Sequence, residues 1–392
     1  MSLLPVAEAQ ARLLALATPL PIETVPLPEA TGRWAAEDLI ARRTQPAADL
    51  SMMDGYAIRF ADLPGPWQLI GESRAGEGFG GVLAAGDAVR IFTGAPLPAG
   101  ADAILVQEEA VRDGAVVQLA GEGPLHTGAS IRPRGSDFVE GAVLVAQGER
   151  LTPARIAAAA VGGHGALAVR RRPRVTLIST GDELVPPGAP ADGVMLPASN
   201  GVMLHAMIGT TAEVADAGIV PDRLDALVEA FRTIQADIIV TTGGASVGDH
   251  DLVRPALAEA GAELDFWRIA MRPGKPLLAG KLGQTIVLGL PGNPVSAFVT
   301  AHLFLLPLIA HLGGASGPLP RTEPATLAAP LPVVGARDNY LRAVLSRGRV
   351  SALPNQDSGA LATLAEAAAL IVRPARAPAA AVGEIVDILR IA

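Results

Sequence analysis

Asp237-Ile238-Ile239-Val240-Thr241-Thr242-Gly243-Gly244 sets five β-branched residues in a row and stops them with two glycines. An unbroken run of this kind suits a strand covered on both faces. Val175–Thr180, upstream, has the same character and ends in Thr180-Gly181-Asp182-Glu183. Thr285–Leu290, downstream, runs into Leu290-Pro291-Gly292-Asn293-Pro294, which opens a long apolar helix reaching about Leu312. Helices are expected after Ser199-Asn200, from Asp222, which can cap its own helix with Asp225 in the first turn, and around Leu252–Ala260. Leu264–Ile269 reads as extended. Strand and helix alternating from about residue 174 to 320 predict an α/β unit with a doubly wound, mostly parallel sheet.

The flanks read differently. Val6, Leu13, Leu14 and Ala17 fall on one face of an amphipathic N-terminal helix. Trp67–Ile70, Ala88–Phe92, Ala103–Gln107, Val116–Leu119 and Ala142–Val145 are short extended runs between Gly and Pro, as in a small β-rich module. Thr152-Pro153 then supplies a cap and an N1 proline, Ala154–Val161 favours helix, and Gly162-Gly163 ends it. The Arg/Pro-rich stretch Arg170–Arg174 reads as a linker. Beyond about Arg321, Tyr340–Val344, Ala369–Val372 and Glu384–Ile391 suggest a small β-barrel or sandwich.

Composition removes whole classes of function. The 392 residues contain no Cys, which excludes disulfides, thiolate nucleophiles and Cys-bearing metal sites. Six scattered His give no two-His metal helix. A formal charge of −8 and an aromatic content of 3% argue against nucleic-acid partners. No apolar run approaches the roughly 18 residues of a membrane span. His302–Leu312 is short and carries a proline, and the N-terminus lacks the basic start of a secretory signal. A cytoplasmic protein without a membrane partner is expected.

Ligands of open α/β sheets sit beyond the carboxyl ends of the strands. Three such loops here carry glycine, which lets backbone N–H groups approach an anion, and the first two add carboxylates that suit Mg2+. They are Thr180–Glu183, Thr242–Asp251 and Leu290–Pro294. Together they suggest a metal-bridged phosphate site, although any one alone reads equally as a turn with acidic caps. Met271-Arg272-Pro273-Gly274-Lys275-Pro276 and Ile131-Arg132-Pro133-Arg134-Gly135-Ser136-Asp137 offer cations for an anion, or simply solvated surface charge. Ser51-Met52-Met53-Asp54-Gly55-Tyr56-Ala57 reads as a turn with a partly buried Asp. Gly76–Gly81 has G-x-G-x-x-G spacing without the following helix that a dinucleotide site needs. Gly244–Gly248 matches G-x-S-x-G, yet His250 lies too close to serve Ser246, and His302 and His311 sit in an apolar helix.

Ser51–Ala57, Phe92–Pro96, Ser179–Leu184, Thr241–Asp251, Arg272–Pro276 and Leu290–Ala297 occur in the order and spacing of the molybdopterin molybdenumtransferases, the MoeA proteins, and the chain resembles that family over nearly its whole length. The resemblance implies an elongated homodimer of four-domain subunits. Residues 1–45 and 141–173 would form a split domain, 46–140 an inserted β-rich domain, 174–320 the doubly wound domain and 321–392 a β-barrel. It also implies insertion of molybdate into adenylylated molybdopterin with release of AMP, with Mg2+ as cofactor. Asp54, Glu183, Asp249, Asp251 and Lys275 would be catalytic, and the four carboxylates among them metal ligands. Thr93, Arg132 and Asp137 would line the cleft together with Thr180, Asp222, Gly243, Gly244, Ser246, Arg272, Pro291 and Pro294. Ser358 would arrive from the partner subunit, and the site as a whole would be shared between subunits. Arg272 replaces the first lysine of the family's KPGKP motif, exchanging a point charge for a planar fork. The competing readings are a molybdopterin adenylyltransferase-like enzyme, a gephyrin-like scaffold and a serine hydrolase.

Overall fold

A computed structural model describes residues 3–244 and 252–391. Ile238–Thr242 is buried at every position and pairs in parallel with Arg174–Thr180 on one side and Thr285–Leu290 on the other. The six-stranded sheet runs in the order Glu213–Val220, Arg174–Thr180, Ile238–Thr242, Thr285–Leu290, Leu278–Leu282, Glu263–Trp267. The first four strands are parallel, and Leu278–Leu282 is antiparallel to both of its neighbours. Two strands escape the sequence reading. Glu213–Val220 is an edge strand without a buried position, and Leu278–Leu282 is interrupted by Gly280 and Lys281.

Successive residues along a strand face opposite sides, and the core divides accordingly. Ile238, Val240, Ile286 and Leu288 pack on one face with Leu204, Ile208 and Val299. Ile239 and Val287 pack on the other with Leu227, Phe231 and Leu257. Helices therefore cover both faces, as the doubly wound expectation requires. The expected cap at Asp222 does not form: the helix spans Leu224–Thr233 behind Arg223 and has no side-chain cap. Asp222 is instead left free to face the cleft described below.

The longest helical stretch, Pro294–Leu312, corrects the reading that no apolar segment approaches membrane-span length. Its 19 residues reach that length, but they are mostly buried against this sheet. A π-type turn at Ala301–Leu305 precedes Pro307. Proline has no N–H to give the carbonyl four residues back, which is that of Leu303. Gln10 of the N-terminal helix Val6–Ala15 donates its Nε2 to that oxygen at 2.8 Å. The same helix buries Val6, Ala9 and Leu13 in the sheet core and binds Asp265 through Arg12 at 2.9 and 3.0 Å. Arg170–Arg174, read as a linker, is anchored at Arg171, which makes a two-pronged contact with Asp237 at 2.8 and 2.9 Å.

A curled six-stranded sheet occupies the middle of the sequence, with Gly55–Ile58 between Ala103–Val106 and Asp87–Ile91. Val143–Val145, grouped from sequence with these short strands, pairs instead with Leu39–Ile40. The helix Pro153–Val161 forms as read, with Thr152 accepting from the Arg155 amide. In the C-terminal region Asp338–Ser346, Arg349–Ala352, Glu323–Leu327, Ile385–Arg390 and Ala369–Arg373 close into a five-stranded barrel, because the last strand returns to the first. Met271–Arg272 joins the barrel through a short parallel pairing with Asp338–Asn339.

Candidate active site

The three strand-end loops converge. A cavity of about 490 Å3 opens at the carboxyl edge of the parallel sheet, and Thr180, Glu183, Asp222, Gly243, Gly244, Pro291 and Pro294 all line it. Backbone geometry explains the glycine at 243. Its φ is +95°, and a Cβ there would stand 2.4 Å from the Thr180 carbonyl oxygen. Any side chain would wedge two adjacent loops apart.

Acidic groups cluster on one flank. The Asp222 amide donates to Asp182 Oδ1 at 3.1 Å. Burial holds the Asp222 carboxyl above the ordinary aspartate range, and the charges of Asp182 and Glu183 push it further the same way. A cation in the cleft would relieve that repulsion. Among the described residues no three His, Asp or Glu side chains form a metal cage. Mg2+, however, usually takes one or two carboxylates and completes its shell with water and substrate phosphate. Glu183 and Asp222 fit that donor set. Ser246, Asp249 and Asp251, assigned from sequence to the central loop, lie outside the described residues.

Of the Met271–Pro276 turn, Pro276 lines the cavity, whereas Arg272 and Lys275 are exposed and absent from its lining. Ser358 lies at the mouth, where its Oγ accepts from Asn293 Nδ2 at 3.0 Å and its carbonyl accepts from the Val295 amide at 3.1 Å. The barrel of the same chain delivers Ser358 to this mouth, where the resemblance had implied a partner subunit's. The segment before it is held by the buried Arg342, whose Nη1 and Nη2 donate to the carbonyls of Asp357 and Asn355 at 2.8 and 2.9 Å.

Asp54, Thr93, Arg132 and Asp137, expected in a cleft shared between subunits, are absent from the lining of this cavity of the single chain. They belong to the inserted module. Asp54 precedes the central strand Gly55–Ile58, and a Cβ at Gly55 would meet the Leu105 carbonyl oxygen at 2.1 Å. Both the amide and the hydroxyl of Thr93 donate to Asp54 Oδ1 at 2.8 Å. Those two bonds, amide first, hold the Asp54 carboxyl below its usual range, and the nearby Arg90 charge adds to them. Arg90 is fixed by its bonds to the Gly55 carbonyl and Gln107 and by stacking on Tyr56 and Phe92. Arg132 lies on an exposed two-residue strand paired with Leu50–Ser51, and the Asp137 amide donates to the Gln45 carbonyl. As a metal ligand, Asp54 therefore does not join Glu183 within one chain.

Family models match in three consecutive blocks. The MoeA N-terminal region (domain I and II) matches residues 4–163, a probable molybdopterin binding domain residues 176–311, and the MoeA C-terminal region (domain IV) residues 324–391. A molybdopterin molybdenumtransferase from Haemophilus influenzae is 38% identical over 315 residues, covering 78% of this chain and 77% of its own. The chain belongs to the MoeA family of molybdopterin molybdenumtransferases. Another member, from Synechococcus elongatus, is 35% identical and matches over 94% of both chains. The crystal structure of a MoeA protein from Pyrococcus horikoshii OT3 superposes over the full length of both chains with a TM-score of 0.82 at 27% identity.

In this MoeA chain three contributors were missed from sequence. Asn200 donates its Nδ2 to the Gly292 carbonyl at 2.7 Å and so ties the third loop to the helix Ser199–Ile208. Its only sequence signal was a cap-type pair, and the cap position is in fact Ala198. Asp182 was noted as a carboxylate but given no role, and Arg342 lay inside a strand pattern with nothing to mark it.

Proposed function

We propose that this chain inserts molybdate into adenylylated molybdopterin, releasing AMP, as an Mg2+-dependent step of molybdenum cofactor biosynthesis. The observation that carries the reading is the convergence of three glycine-bearing loops and two acidic side chains on one cleft. Glycine at 243, 244 and 292 would let the pterin phosphate and the diphosphate link approach the loop backbone closely. Glu183 and Asp222 would hold Mg2+, which offsets charge on the phosphoanhydride when bound. Lys275 and Arg272, exposed on the turn that ends at Pro276, would neutralise anionic oxygens of the substrate. The substrate brings both sulfurs that receive molybdenum, in keeping with a chain that has no cysteine.

Asp54 is the group proposed to orient the attacking water or the incoming molybdate. Its two bonds from Thr93 keep it ionised and aimed. Because it does not line the cleft of its own chain, we assign it to the cleft of a second copy in a homodimer, where Thr93, Arg132 and Asp137 would accompany it. Dimerisation and sharing of the site thus follow one requirement. The cysteine-free composition and the burial of the one long apolar helix among the described residues fit a cytoplasmic enzyme.

The test is to incubate the purified protein with adenylylated molybdopterin, Mg2+ and molybdate, and to measure AMP and active cofactor. Both products should appear only when all components are present. Adenylylation of free molybdopterin with ATP, in place of that reaction, would move the chain to the neighbouring enzyme class.

A further inference from the structure

Arg90 lies directly opposite Tyr56 where Asp87–Ile91 pairs with Gly55–Ile58, on the strand that runs into Phe92 and Thr93. Side chains at such paired positions are neighbours on one face of the sheet. From there the guanidinium reaches each segment that surrounds Asp54. Its Nη1 donates to the carbonyl of Gly55, the residue after Asp54, at 3.0 Å. Its Nη2 donates to Gln107 Oε1 at 2.7 Å, and the Gln107 amide in turn donates to the Asp54 carbonyl at 3.0 Å. The guanidinium carbon lies 5.1 Å from the Tyr56 ring centroid and 4.8 Å from that of Phe92, the residue before Thr93. One side chain thus fastens the strand of Asp54, the loop of its partner Thr93 and the segment that holds its carbonyl.

A neutral side chain could serve two oxygen acceptors, so the charge needs its own explanation. Arg90 is half-buried, and among the described residues it enters no ion pair. Glu108, beside Gln107, is exposed and accepts instead from Gln107 Nε2 at 3.3 Å. The Arg90 charge acts on Asp54, where it adds to the two Thr93 bonds that hold the carboxyl below its usual range.

We propose that Arg90 is a positioning residue for the reaction, fixing the direction of the Asp54 carboxylate through Gly55, Gln107 and the two flanking rings. Its role rests on the assignment of Asp54 in the transferase reading. A planar fork suits the task, because it donates in two directions while its faces lie against aromatic rings. A lysine would keep the charge and lose that geometry.

Turnover of adenylylated molybdopterin across pH, with a carbon NMR titration of the aspartate carboxyls, tests the role on the full chain. Asp54 is identified by the signal missing from Asp54→Asn. Arg90→Gln should lose about tenfold or more in kcat with KM little changed, since a misaimed group slows the step without loosening the substrate. The acidic limb of its profile and the titration of Asp54 should both move to higher pH. Arg90→Lys should lose kcat with a smaller movement of both. Gln107→Ala, at an exposed position, guards against misfolding: it removes one acceptor of the fork, keeps the amide bond to Asp54, and should lower kcat by about threefold. Parental kcat in all three variants, or losses in Arg90→Gln with the Asp54 titration unmoved, would overturn the role. If Asp54→Asn is inactive while the Arg90 variants match the parent, Arg90 alone is removed and the transferase stands. A parent that releases no AMP removes the transferase reading, and the titration still decides whether Arg90 governs this carboxylate.

Discussion

The sheet-edge cleft and the Asp54 turn handle negative charge in opposite ways. In the cleft, Asp222 is half-buried beside Asp182 and Glu183 and its carboxyl is driven upward, a frustrated arrangement that a cation would resolve. At the turn, Asp54 is satisfied: Thr93 donates to it twice, Arg90 stands near, and its carboxyl is driven downward. One region is built to gain a ligand, the other to present a finished anion. Asp54 does not line the cleft of its own chain, and the proposed homodimer would bring the two regions together.

Replacing Asp54 with Asn is the strongest way to break this picture. Turnover should fall by about 10²–10⁴, the usual scale for a positioned acid–base group, with substrate binding retained. Mixing that variant with Glu183→Gln should restore part of the activity if the two regions meet across subunits, because one hybrid site keeps both groups. Activity no higher than that of either variant alone would refute the sharing. Glu183→Gln by itself should weaken Mg2+ by about tenfold or more, read by metal titration of turnover, since Mg2+ sites of this kind rest on one or two carboxylates.

A pH series sharpens the contrast further. If the cleft holds Mg2+ as proposed, protons would compete with it at Asp222, whose carboxyl is raised, and Mg2+ affinity should begin to fall at a pH above that of an ordinary aspartate. Asp54 should stay ionised below that range. Thr93→Val should bring its protonation back toward the ordinary value and, by removing the hydroxyl bond that aims the carboxylate, cost about tenfold in turnover. The smallest effect concerns the frame. Asp237 is lowered because the bonds from Arg171 and the Arg174 amide outweigh burial. Its stabilising share is present above the unfolded aspartate pKa and is lost as pH falls through the depressed folded value. Asp237→Asn should cost about 1 kcal/mol at neutral pH in denaturant unfolding, and the difference should vanish in strong acid.

The doubly wound sheet was legible because its central strands are unbroken β-branched runs ending in glycine, and the tail was legible as a barrel or sandwich. Edge strand Glu213–Val220 was not, since half-exposed strands lack such a run. Of the site, the three loops could be read, because strand ends and glycines are local signals. Ser358 lying against Asn293 of its own chain could not, because docking of the barrel is a long-range event. The separation of Asp54 from the cleft was likewise invisible to motif spacing, which carries order along the chain and no distance in space.

Gln10 gives the opening residues a practical weight. The oxygen it caps belongs to the helix whose first turn borders the cleft, so the amino-terminal segment acts as a splint for the reaction centre. A tag added ahead of Leu3 leaves that splint in place. Trimming the chain through Gln10 would strip the bent helix of its brace, and damage would spread to loops nearly three hundred positions downstream.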